Sequence, residues 1–229
     1  MKHVSMIVLL AGLGLLAPTS ALAVDCNDDA RSSTWSDDEI ATCAAEAEAW
    51  VRLKLQHAQT ILERMISKNP AKYDAKDKAV RDALAEYLKL QPADYKLWLG
   101  VLVDEIKKLR ALRNVKLVPP DGEGNQCANS PGTEAYTDRE TNTIYLCSEW
   151  RDWRLACRRQ VMMHEFFHLA GHEDFYKRPG FSEGAVLSRF KDAGFVATAV
   201  TTIVKERPFR EIPTAESCTD VNIPNLLRK

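Results

Sequence analysis

The chain has 229 residues with 31 basic and 32 acidic side chains, a balance that offers nothing to hold nucleic acid or an anionic membrane. No internal repeat or low-complexity tract interrupts it, and its length suits one domain of good size. The first 23 residues read as an export signal. Lys2 and His3 open it, Val4 to Leu16 form an apolar core too short to span a bilayer, and Ala21-Leu22-Ala23 is an A-x-A cleavage site. The mature chain is then 24–229, with 30 basic and 32 acidic residues once Lys2 is gone (31 − 1 against 32). Ala23-Val-Asp-Cys26 lacks the small residues that precede a lipid-bearing cysteine, so a lipid anchor is not expected. No later segment is apolar for long enough to insert in a membrane. The expectation is a secreted or periplasmic monomer.

Cys26, Cys43, Cys127, Cys147, Cys157 and Cys218 all survive cleavage. An even count in an exported chain predicts disulfides, and no C-x-x-C knuckle points to a thiolate metal site. Six cysteines allow about fifteen pairings, among which sequence alone does not choose.

Ser36-Asp-Asp-Glu39 is a capping box that starts a helix. Apolar residues then recur at Ile40, Cys43, Ala47, Trp50, Val51, Leu55, Ala58, Ile61, Leu62 and Met65, up to Asn69-Pro70. A second helical stripe covers Val80, Leu84, Tyr87 and Leu88. A third opens near Pro92 and covers Leu97, Val101, Leu102, Ile106, Leu109 and Leu112. These predict an N-terminal helical bundle over 24–115. Pro119-Pro-Asp-Gly-Glu-Gly124 begins a loop, after which Glu134–Thr137 and Thr143–Cys147 read as a hairpin turning at Asp138–Asn142. A helix follows from about Trp153 to Leu169, and another from Ser182 through Leu187, Phe190, Phe195 and Ile203. The predicted class is α+β, predominantly helical, in a single domain whose 116–229 half carries the hairpin and the last helices.

The richest stretch is His164-Glu165-Phe-Phe-His168. Spaced by four on a helix, the two imidazoles point the same way and can hold one Zn²⁺, with Glu165 beside the ion as general base. Gly171 supplies a helix stop. Three of the five histidines fall within nine residues, which makes a buried helix with incidental histidines the weaker reading. A catalytic zinc needs a third protein ligand and an open position. His172 would lie about 12 Å from His164 on an unbroken helix. Glu173 points aside. Glu183, in Phe181-Ser-Glu-Gly-Ala185, imitates the E-G-x-A helix of gluzincin peptidases. Asp174 gives H-E-x-x-H-x-x-G-x-x-D spacing, reaching back after the turn at Gly171, and is the favoured choice.

With these features the chain resembles the deuterolysin group of zinc endopeptidases, the aspzincins. The likeness runs from Asp25-Cys26 and an Ala-rich helix through Cys127, Ala135-Tyr136-Thr137, Asn142-Thr-Ile-Tyr-Leu-Cys147, Cys157 and the histidine motif to a final helix and Cys218. The resemblance implies a zincin-like fold, one Zn²⁺ per chain on His164, His168 and Asp174, catalysis by Glu165 assisted by Tyr176, and a protein or peptide substrate. By the same analogy Cys127 pairs with Cys147 and Cys157 with Cys218, leaving Cys26 for Cys43. The sequence departs from the family pattern G-T-x-x-D-x-x-Y-G: the loop is shorter, G-T is missing, and Tyr176 follows Asp174 by two residues. Two other readings compete. One is a zincin scaffold with a decayed site and a binding or toxin-like role, against which an intact Glu165 argues. The other is a structural zinc protein, for which no suitable cysteine is free.

Overall fold

The computed structural model describes residues 24–28, 32–91, 93–127, 133–174, 179, 182 and 185–204. Residues 1–23, where an export signal is expected, lie outside the described residues, as do Tyr176, Glu183 and Cys218. Seven α-helices and a small three-stranded mixed sheet make up what is described, in line with the α+β, mostly helical expectation.

The first helix, α1 (Asp37–Ser67), starts where the capping box places it: the Ser36 hydroxyl accepts from Glu39 N at 3.3 Å and Glu39 Oε2 accepts from Ser36 N at 2.8 Å. One stripe of α1 is buried, from Ile40 through Val51, Leu55 and Leu62 to Met65. Helix α2 (Ala75–Leu88) begins with a second capping box, Asp74 and Asp77. Helix α3 (Tyr95–Ala111) starts three residues after Pro92. It packs along α1, and α1 in turn packs on α5.

The sheet is ordered β1-β3-β2. The expected hairpin is there: β2 (Ala135–Asp138) runs antiparallel to β3 (Thr143–Leu146), with Tyr136 opposite Tyr145 and their rings stacked at 4.6 Å. Its turn closes with Asn142 at φ 52° and the Asp138 carboxylate accepting from Glu140 N and the Thr141 hydroxyl. A third strand, β1 (Lys116–Val118), pairs parallel with β3. Three residues are too few to show a strand period, so nothing local announced it.

Two disulfides are formed, Cys26–Cys43 and Cys127–Cys147, both as expected. Cys157 is disulfide-bonded as well. After the single-turn α4 (Ser148–Arg151), α5 (Leu155–Leu169) runs through the middle of the molecule. Met162, Met163, Phe166 and Phe167 are fully buried between α1, α7 and β2. Arg158 on α5 is buried too. It donates to the Cys26 carbonyl at 2.8 Å and its guanidinium lies 4.6 Å from the Trp35 ring, tying the N-terminal segment to the start of α5.

The single last helix expected from Ser182 is corrected to two: α6 (Val186–Lys191) and α7 (Ala193–Ile203). Asp192 separates them with φ −94° and ψ 121°, and its carboxylate caps Phe195 N at 3.1 Å. Among the described residues no helix is long and apolar enough to cross a membrane.

Candidate metal centre

His164 and His168 lie one turn apart on α5 and converge, with their Nε2 atoms 2.9 Å apart. Two devices bring Asp174 to them. The first is the end of α5. Gly171 N donates to the His168 carbonyl and His172 N to the Phe167 carbonyl, with Gly171 at φ 100°. This is a Schellman turn, which needs a left-handed residue and so favours glycine. The second is a short parallel bridge between Glu173 and Asp192. Glu173 N donates to the Lys191 carbonyl and Ala193 N donates to the Glu173 carbonyl, both at 3.0 Å. The chain after the turn is therefore pinned to the break between α6 and α7. Asp174 Oδ1 ends 3.3 Å from His164 Nε2 and 3.5 Å from His168 Nε2.

These three atoms fit an ion. Zinc bonds of about 2.0–2.2 Å in a tetrahedron give ligand-to-ligand edges of about 3.3–3.5 Å. Edges of 2.9, 3.3 and 3.5 Å have a common centre about 1.9 Å from each atom, so the three atoms are spaced as ligands of one small cation would be. His164, His168 and Asp174 can thus hold a metal ion. All three are half-buried, so water reaches the site. His168 is oriented from behind: its Nδ1 lies 2.9 Å from the His172 carbonyl. A proton on Nδ1 leaves Nε2 free for the ion.

The local field favours a cation. Burial works against a charged His168, but hydrogen bonding to Asp174 and the negative charge of Glu165 outweigh it and raise the imidazole to about 9. An ion at Nε2 would face the same two carboxylates and would have to displace that proton.

Glu165 is buried, 4% exposed. Its Oε2 accepts from the Thr137 hydroxyl of β2 at 2.7 Å, and the Glu165 carbonyl lies 3.2 Å from the same hydroxyl. The side chains of the competing third ligands go elsewhere or lie outside the described residues. The His172 ring packs edge-on against Phe167 and its Nε2 faces Glu105 on α3 at 3.6 Å. Burial lowers its pKa, with Glu105 opposing. Glu173 serves through its main chain. Tyr176 and Glu183 lie outside the described residues.

Four contributors escaped sequence reasoning: Thr137, the His172 carbonyl, Asp192 and Gly194. A Cβ on Gly194 would sit 3.2 Å from Asp192 Oδ1 and 3.6 Å from His164 Nδ1, so the start of α7 comes close to the first histidine. Only Asp192 had a local signal, as an acidic residue three before Phe195 in N-cap spacing. Comparison with protein-family models, curated proteins and solved structures finds no match to this chain.

Proposed function

We propose that this chain is an exported zinc endopeptidase of deuterolysin-like, zincin type. One observation carries the reading: a half-buried set of two histidines and an aspartate adjoins a buried glutamate, Glu165, on the helix that carries the histidines. What supports Asp174 over His172 is its distance to both Nε2 atoms, while the His172 ring faces Glu105. Three half-buried ligands with no fourth among the described residues favour catalysis over a structural ion, whose fourth place would be filled. Disulfides accord with export to an oxidising compartment.

A zinc ion bound there supplies Lewis acidity and lowers the pKa of water at its open position. The remaining work belongs to the chain. Glu165 accepts the proton of the attacking water and returns it to the leaving amine. His164 and His168 would hold the ion through Nε2 as neutral imidazoles, the proton that His168 otherwise keeps giving way to it, while the His172 carbonyl fixes the other ring nitrogen of His168. An extended peptide docks along the edge strand β2 by main-chain hydrogen bonds. Tyr176 steadies the developing oxyanion, and Cys157 pairs with Cys218, both on the strength of the family resemblance.

Metal analysis together with casein cleavage tests this. The wild type should carry one zinc per chain and lose both metal and cleavage on chelation. Glu165→Gln should keep the zinc while hydrolysis falls by roughly 10²–10⁴-fold, the range for a lost general base. A zinc-loaded Glu165→Gln enzyme with undiminished turnover would end the mechanism. Full zinc occupancy in a His164→Ala, His168→Ala double variant would end the site assignment.

A further inference from the structure

We propose that Thr137 is the positioning residue of the general base: its hydroxyl fixes the carboxylate of Glu165 while its own main chain faces the docked peptide. The inference rests on the peptidase reading and adds a component to it.

The hydroxyl has one proton and two acceptors in reach, Glu165 Oε2 at 2.7 Å and the Glu165 carbonyl at 3.2 Å. The shorter contact, to the charged group, takes the proton, since hydrogen bonds to carboxylates are shorter and stronger than those to amides. Glu165 as a whole is only 4% exposed, and the Thr137 hydroxyl is the one side-chain donor to its carboxylate among the described residues, so this bond sets its orientation. Oε2 is engaged by Thr137, and Oε1 takes no hydrogen bond from the described residues. Oε1 is therefore the oxygen left to accept a proton from the attacking water.

The strand geometry links this bond to substrate. Cys147 N donates to the Glu134 carbonyl at 2.9 Å, and the register sets Ala135 opposite Leu146 and Thr137 opposite Ile144. In an antiparallel pair, residues that exchange bonds alternate with residues that do not. Glu134, Tyr136 and Asp138 consequently face β3 with their main-chain groups, while Ala135 and Thr137 turn theirs away, off the edge of the sheet. Strand β2 is one of the two edges, and the one beside α5. One residue thus offers N–H and C=O to an added peptide strand and, through its side chain, holds the base. Settling a peptide against β2 fixes the position of Thr137 and with it the direction of Oε1. A threonine that only filled space beside α5 would need no hydroxyl.

Two measurements decide it. In metal-free protein, thermal unfolding of Thr137→Val, Glu165→Ala and the double variant should be non-additive by about 5 °C, as for a charge-assisted hydrogen bond lost once rather than twice. In zinc-loaded protein, Thr137→Val should lower kcat about ten- to a hundredfold with KM within about twofold and zinc content intact, while Thr137→Ser restores most of kcat. Additive unfolding shifts, an unaltered kcat in Thr137→Val, or a Thr137→Ser enzyme as slow as the valine variant would each overturn the role of Thr137 while leaving the peptidase reading in place. A zinc-loaded wild type that cleaves nothing overturns the peptidase reading instead, and the catalytic role of Thr137 with it.

Discussion

The helix starts of α1 and α2 and the metal centre are held by bonds of different sequence range. The starts of α1 and α2 are closed by residues three apart, Ser36 with Glu39 and Asp74 with Asp77. Around the metal centre the decisive bonds join distant segments: Glu173 to Lys191 and Ala193, and Thr137 to Glu165 across 28 residues. A local motif can align two histidines on one helix and turn the chain back at Gly171. Pinning Asp174 there and orienting the base take partners from other segments. Mutations in the two regions should accordingly separate stability from metal binding.

The largest effect is expected at Asp174. Its carboxylate is the only non-histidine member of the ligand set among the described residues. Loss of an outer-shell partner typically weakens a metal site by roughly 10–100-fold, so a lost ligand should exceed that. Asp174→Ala is expected to bind zinc more than about a hundredfold more weakly and to cleave nothing, while Glu183→Ala stays active. Zinc titration against a competing chelator measures the first and casein cleavage the second. Native affinity in Asp174→Ala, with loss of activity in Glu183→Ala, would move the third ligand to Glu183.

Gly171→Val should come next. A Cβ at this position would meet Arg139 Nη1 at 3.5 Å, an ordinary contact, so space is not the obstacle. The obstacle is φ 100°, which a β-branched residue resists at a cost of about 1–3 kcal/mol. The strain can be relieved only by opening the Schellman turn, which carries Asp174 away from the histidines. Zinc affinity should therefore fall together with the melting temperature. A valine variant that is destabilised yet binds zinc normally would show that the Glu173–Asp192 bridge alone holds Asp174 in place.

The same division explains what could be read in the sequence. The stripe of α1, its capping box, the hairpin and the histidine pair all follow periods or spacings of a few residues, and each stands where those patterns place it. Asp174 was reachable because the Gly171 turn keeps it within six residues of His168. Strand β1 depends on pairing with β3 some 27 positions later (116 to 143), and three residues carry no period of their own. The break at Asp192 was hidden by apolar residues at Phe190, Phe195 and Ala199, which continue a helical stripe across it. The Asp192 cap on Phe195 and the bridge to Glu173 together account for the break there. Thr137 reads as an ordinary strand residue, because its acceptor lies on another element.

The smallest effect tests the other side of the comparison. Ser36→Ala removes the hydroxyl that accepts from Glu39 N, and with it the reciprocal box at the start of α1. Such a loss typically costs about 1 kcal/mol, which for a chain of this size lowers the melting temperature by about 2–4 °C. Both partners of the box lie within one turn, so zinc affinity and cleavage should stay at wild-type values. A physical path to the centre does exist: Cys43 of α1 is bonded to Cys26, whose carbonyl accepts from Arg158 near the start of α5. If fraying of the first turn travelled along it, zinc affinity would drop in step with stability. The disulfide and the buried guanidinium fix this segment independently of the cap, Cys43 being a full turn beyond Glu39, so the two readouts should part. Calorimetry and zinc titration on the same Ser36→Ala preparation decide the matter. A fall in affinity comparable to that of Gly171→Val would mean that the two regions form one cooperative unit and that their different length scales have no energetic consequence.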